Sequence, residues 1–233
     1  MITERPTSQP EEGSLASPFT PSELILRNAV DFTSKRLRVQ DQTQVGTWAS
    51  SSQVTRETLA AAFLANERAG AIHLEVRTAE KKFLFFRRTE ISLVAVQGSD
   101  PVEWPAFSLE SSIYAMVRRR PMEVSDIIHE WLGEDTCDPL GSAVELIKKG
   151  LVSRGLLRQV VDVVRKKWLF FNWTAHVTRY VLAERTEASA APQQLEPALR
   201  LLTQCQKNRP ATWTRLMGQI EKAISRRKLA EGG

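Results

Sequence analysis

The sequence predicts an α+β fold, mainly α with β-hairpins, in which a helical core carries winged-helix-like helix–hairpin units. Three observations lead there. Apolar residues recur at helical spacing over much of the chain. Two apolar, alternating runs follow glycines at Gly70 and Gly155. The segments Lys81-Lys-Phe-Leu-Phe-Phe86 and Lys166-Lys-Trp-Leu-Phe-Phe171 lie at the same 85-residue offset as those glycines, so each unit reads helix, glycine, strand, Lys-Lys, aromatic strand.

Residues 1–21 are rich in Pro, Ser, Thr and Glu and read as a disordered tail, which leaves 22–233 as a single domain. Thr20 or Ser22 caps a short helix from near Glu23, with Leu24, Ile25, Val30 and Phe32 on its apolar side. Residues 40–53 are polar and loop-like apart from Trp48. A helix is expected from Thr55 to Ala69, with Leu59, Ala62, Phe63 and Asn66 on one face and Gly70 as its stop. Strands follow at 71–77, 83–86 and 91–96, with His73 on the solvent side. Helices are expected at 108–119, 123–132 and 141–154. Further strands fall at 156–164, 167–173 and 177–182, and helices at 194–206 and 211–229 lie either side of Pro210. The last helix sets Trp213, Leu216, Met217, Ile220 and Ile224 on one stripe among basic residues, a pattern suited to core packing or to a membrane surface.

With 42% hydrophobic residues in 233, the chain can bury a core, so global disorder is excluded. Its net charge of +5 favours an anionic partner. The charge is sorted along the chain. Residues 103–138 hold eight acids and three bases, whereas 145–167 hold seven bases and two acids, and 207–228 seven bases and one acid. Two cysteines, Cys137 and Cys205, make no disulfide framework and point to a reducing compartment. The polar N-terminus has no secretory apolar stretch and no window reaches a membrane span, so membrane contact is expected to be peripheral.

Chemistry of the enzymatic kind finds no footing. His73, His129 and His176 have no metal-ligand spacing to one another or to a cysteine, so no metal and no cofactor is expected. Phosphate-loop, dinucleotide and nucleophile-elbow patterns do not occur. The informative segment is Arg165-Lys-Lys-Trp-Leu-Phe-Phe-Asn-Trp173, three cations ahead of four aromatics. Read as one strand, it puts Trp168, Phe170 and Asn172 on one face and Leu169, Phe171 and Trp173 on the other. Two apolar faces need two partners. One is the helical body. The other is lipid, a second protein chain, or the C-terminal helices. Tryptophan next to lysine suits a membrane interface, so Trp168, Leu169, Phe170, Phe171 and Trp173 are candidates for insertion, with Arg165, Lys166 and Lys167 meeting headgroups.

The order of these motifs resembles the Golgi phosphoprotein 3 family over residues 56–182. The resemblance runs from Leu64-Ala-Asn-Glu-Arg-Ala-Gly-Ala-Ile-His-Leu-Glu75 through the Lys81–Arg88 hairpin and Ile127-Ile-His-Glu-Trp-Leu-Gly133 to Asp138-Pro-Leu140. It closes on Leu151-Val-Ser-Arg-Gly-Leu-Leu157 and Lys167-Trp-Leu-Phe-Phe-Asn-Trp-Thr-Ala-His176. It implies a non-enzymatic, peripheral membrane protein of the cytosolic face, at the Golgi in a eukaryote, that binds phosphatidylinositol 4-phosphate, inserts the apolar hairpin, and in some members binds protein clients. Trp48 and Arg56 are nearest to the family's headgroup tryptophan and arginine. The family's two further arginines fall on Gly141 and Val144, with Lys148 and Lys149 nearby as charge without a bidentate fork. The resemblance implies a divergent or shortened member, since the family's C-terminal helical region is longer than 185–233.

The functional expectation is therefore anionic phospholipid binding through a basic-aromatic hairpin surface. A tandem winged-helix nucleic-acid binder is the alternative, since the same cations would serve phosphates of DNA. A hairpin-mediated homo-oligomeric scaffold is the third reading.

Overall fold

The computed structural model describes residues 18–29, 51–83, 86–133, 138–168, 171–183 and 195–229. Within them 28–29, 51, 79–83, 86–88, 162–168, 171–179 and 226–229 are described by backbone alone. Among the described residues seven helices surround two long hairpins, a mainly helical α+β fold. In chain order the elements are α1 (Pro21–Ala29), α2 (Ser51–Arg68), β1 (Ile72–Phe83), β2 (Phe86–Gln97), α3 (Leu109–Val117), β3 (Met122–Glu123) and α4 (Val124–Leu132). They continue with α5 (Pro139–Ser153), β4 (Leu157–Trp168), β5 (Phe171–Leu182), α6 (Leu195–Asn208) and α7 (Pro210–Leu229).

Helix α2 is the axis of the core. Thr58 through Asn66 are all buried, with Phe63 and the alanines at 60–62 fully so. A helix covered on every side needs small residues where neighbours come close, and the alanine run supplies them. Helices α1, α3, α6 and α7 pack around α2. Asn66 is the polar knot of that core. Its Nδ2 donates to the Ala62 and Glu110 carbonyls, and its Oδ1 accepts from Trp104 Nε1 at 2.7 Å.

The 85-residue echo is structural. Strands β1 and β4 both have 12 residues, as do β2 and β5, and each boundary of the second hairpin is that of the first displaced by 85. The glycine turns repeat bond for bond. Gly70 donates to Glu67 and Ala71 to Asn66, while Gly155 donates to Val152 and Leu156 to Leu151, all at 2.9–3.0 Å. This is the paired C-terminal cap that a left-handed residue permits, and the two glycines have φ of 73° and 70°. At the far end of each unit Gly98 donates to Ala71, and Ala183 to Leu156.

Several expectations shift. Phe19 and Thr20, within the expected tail, are both buried. Helix α2 starts at Ser51, ahead of the expected Thr55. Val30, Phe32 and the tail before Pro18 lie outside the described residues. Segments 83–86 and 167–173 are not single strands. Phe83 pairs with Phe86 and Trp168 with Phe171, so each aromatic run is a hairpin apex whose two halves belong to different strands. Tight two-residue connections usually announce themselves with Asn-Gly or a similar pair. Leu84-Phe85 and Leu169-Phe170 give no such signal, and an unbroken apolar run reads as strand.

The C-terminal stripe is core. Leu216, Ile220, Ala223 and Ile224 of α7 are buried, and Trp213 and Met217 are partly so. Helix α7 packs on α4 and on β2, where Lys222 Nζ donates to Glu90 Oε1 at 2.7 Å.

Candidate functional site

The second hairpin is rooted in the helical body and pairs along a continuous register from Leu157–Leu182 to Trp168–Phe171. At its root Leu157 and Tyr180 are buried, and the Tyr180 hydroxyl donates to Glu145 Oε2 of α5 at 2.9 Å. Burial first, and then that bond to a carboxylate, push the Tyr180 phenol up to about 12. Lys148 Nζ lies 5.1 Å over the Tyr180 ring and 3.2 Å from Glu145 Oε1, so one acid, one base and one phenol hold the root against α5. Two rungs out, Val161 is already 55% exposed. From there the pairing continues through Arg165 opposite Thr174, Lys166 opposite Trp173 and Lys167 opposite Asn172, to Trp168 opposite Phe171.

This register places the sequence-derived candidates. Arg165, Lys166 and Lys167 occupy the last three rungs of β4 before its terminal Trp168, and Phe171 and Trp173 the start of β5, so cations and aromatics share the outer end of one hairpin. Leu169, Phe170 and Trp48 lie outside the described residues. Lys149 is exposed on α5. Lys148, in contrast, is 3% exposed and committed to Glu145 and Tyr180. Its ammonium serves the hairpin root, and a headgroup would have to displace it. Arg56 is engaged too, pairing with Glu221 of α7 at 2.6 Å, although its buried Nε has no protein partner. Val144, at one of the arginine positions of the resemblance, is core, and Gly141 sits in the first turn of α5, where its amide donates to Asp138 Oδ1.

Sequence reasoning missed a buried polar junction. The N-terminal ends of α1 and α3 meet there, joined by the corner after α5. Glu23 accepts from the Thr20 amide, closing one half of a capping box, and its other oxygen takes the Arg154 guanidinium, which also donates to the Pro18 carbonyl. Glu110 accepts from the Ser22 amide and from Ser22 Oγ, both at 3.0 Å. Both carboxylates are fully buried. The spacing Thr20-Pro-Ser-Glu23 carried a signal for the first, whereas nothing local in Leu109-Glu-Ser-Ser112 marked the second.

An apolar cavity of about 530 Å3 opens between α1, α2 and α6, lined by Phe19, Leu24, Trp104, Ala198 and Leu201 with Arg68 at its edge. Among the described residues no group of three or more His, Cys, Asp or Glu could hold a metal ion. No described helix is long and apolar enough to cross a membrane. Comparison with protein-family models, curated proteins and solved structures gave no match.

Proposed function

We propose that this protein is a non-enzymatic peripheral membrane protein that binds anionic phospholipid through the end of its second hairpin. The observation that carries this reading is the register. Three cationic rungs stand directly behind a Trp168–Phe171 apex, at the far end of a hairpin whose root is anchored in the body through Tyr180 and Glu145. Cations near an anionic surface contribute about 1 kcal/mol each, and aromatic side chains suit the headgroup boundary. Phosphoinositide headgroups are within this class. Of the acidic stretch 103–138, Glu110, Glu123, Asp126 and Glu130 lie in α3, β3 and α4, away in sequence from both basic tips.

The winged-helix alternative is weakened by two features. A recognition helix presents polar side chains to a DNA groove. Here the helices ahead of the hairpins are α2, buried throughout Thr58–Asn66, and α5, of which only Lys149 and Ser153 are exposed. In a winged helix the short strand between the first two helices pairs with its own wing. Here β3 pairs with β2 of the preceding unit, Val94 opposite Glu123.

Co-sedimentation with phosphatidylcholine vesicles, with and without phosphatidylserine, tests the proposal, with a duplex DNA control. Binding is expected only with the anionic lipid. It should weaken from about 50 to about 500 mM salt, as the Debye length falls from roughly 14 to 4 Å. Trp168→Ala with Phe170→Ala should reduce it without changing the thermal melt. Tight DNA binding with no vesicle binding would replace this reading by the alternative. Concentration-dependent assembly with neither would favour the scaffold.

A further inference from the structure

The first hairpin copies the second in length, root bonds and apex pairing, but its outer rungs carry different residues, with Glu80 where the second has Arg165 and a different returning strand. In the second hairpin the returning strand places Asn172 and Trp173 opposite Lys167 and Lys166. At the same positions of the first hairpin, 85 residues earlier, stand Arg87 and Arg88, opposite Lys82 and Lys81. Four cations therefore occupy two consecutive rungs just behind the Phe83–Phe86 apex. Like charges directly opposite one another destabilise an antiparallel pair, so this arrangement opposes the hairpin that carries it. The acids nearer the body are taken up locally. Glu90 receives Lys222, and Glu75 receives Arg77 at 2.9 Å. Glu80 stands opposite Thr89, one rung further in.

Exposure along β1 follows that of its copy, while β2 stays on the body further out, with Ser92 and Leu93 buried and Glu90 held by Lys222 of α7. Ile72 and Leu74 are buried, whereas Val76 is 49% exposed, and Val161, its counterpart 85 residues on, is 55% exposed. Past this point both hairpins extend with paired backbone to an aromatic apex. A concentration of four cations at such an end matches a dense array of phosphates. Its two arginines bring planar forks suited to phosphate oxygens, which the outer rungs of the second hairpin's returning strand lack.

We propose that the first hairpin is a second membrane-contacting arm, in which Lys81, Lys82, Arg87 and Arg88 take the phosphates of anionic phospholipid. The second hairpin then supplies insertion together with its own three cations, and the first adds further charge. This rests on the membrane reading given above, and the experiment separates the two. The full-length chain is titrated with phosphatidylcholine vesicles containing phosphatidylserine, at low and high salt. Replacing the four cations by glutamine (K81Q/K82Q/R87Q/R88Q) should lower low-salt affinity by about tenfold or more and flatten the salt dependence. Trp168→Ala with Phe170→Ala should lower affinity at both salts and leave the salt dependence in place. A second variant, R87N/R88W, installs the residues of the copied hairpin on the same rungs and guards against misfolding. It should lose part of the salt dependence while its melt stays that of the parent. If both first-hairpin variants bind with the parent's affinity and salt dependence while the Trp168 and Phe170 variant does not, the second arm is wrong and the membrane reading stands. If the glutamine variant loses affinity for duplex DNA but not for vesicles, the arm's ligand is misassigned and the proposal falls. If the parent binds no vesicle, the membrane reading fails and this inference with it.

Discussion

Glu110 has no exposed surface, and burial followed by the nearby charge of Glu23 pushes its carboxyl from 4.5 up to about 7, against the hydrogen bonds from Ser22 that pull the other way. A raised acid holds its proton more tightly in the folded state than in the unfolded chain. Its contribution to stability is therefore complete below about pH 4.5 and is lost as pH rises towards 7, beyond which it changes no further. The interval corresponds to about 3 kcal/mol. Glu110→Gln keeps an acceptor for the Ser22 amide and removes the titration. Urea midpoints at about pH 5 and about pH 8 should differ less for this variant than for the parent, with the gain on the alkaline side. Equal pH dependence in the two proteins would show that Glu110 stays ionised when folded. At this scale the sequence was only partly legible. Glu23 stood three residues after Thr20, in capping-box spacing, but Glu110 was one of eight acids in an acidic stretch. Its burial is set by α1 arriving from 88 residues away, which no local pattern records.

The two glycine turns offer a comparison within one molecule. Both glycines are left-handed, and an alanine at either carries the strain of that conformation, about 1–2 kcal/mol. Their surroundings differ. A β-carbon at Gly155 meets nothing within 4 Å, whereas one at Gly70 would run into the Asp100 carboxylate. Gly155→Ala should cost about 1 kcal/mol, and Gly70→Ala that much plus the displacement of Asp100. Chemical denaturation of both variants measures the difference, and equal losses would mean that Asp100 yields freely. The turns themselves were readable, because a glycine at the end of an apolar helix followed by alternation is a strong local pattern. The offset was readable for the same reason, whereas the hairpin lengths were not, since three short strands were expected where two of 12 residues run. Nor were the apices. With Leu-Phe at the point where the chain reverses, only cross-strand pairing distinguishes a turn from a strand, and pairing is a non-local fact.

For the molecule as a whole, the placement of cations bears on lipid selectivity. A monophosphorylated inositol ring is distinguished from other anionic heads by several fixed donors. Lys148 is buried against Tyr180, Arg56 is paired with Glu221, and Gly141 and Val144 bring no side-chain donor. Of the other candidate cations, Lys149 is exposed on α5 and Arg165, Lys166 and Lys167 stand on hairpin rungs, and in the membrane reading proposed above such a set would respond to charge density. Affinities for vesicles containing phosphatidylinositol 4-phosphate and for charge-matched phosphatidylserine vesicles should therefore agree within about tenfold, or about 1.4 kcal/mol. A larger preference would reveal a fixed headgroup pocket. The fold class was visible from composition and periodicity alone, since helices with apolar stripes and two alternating runs admit few architectures. How the halves join was not. Strand β3 follows α3 in the chain and completes the sheet of the earlier hairpin. Glu23 meets Arg154 from 131 residues away, and Lys222 reaches Glu90 across 132. During synthesis the residues of the first hairpin thus emerge well before those of the strand and the helix that pack on β2. Such distant closures slow folding and bind the halves into one cooperative unit. The duplicated segments look like successive modules, yet the earlier one waits for the last helix to be synthesised.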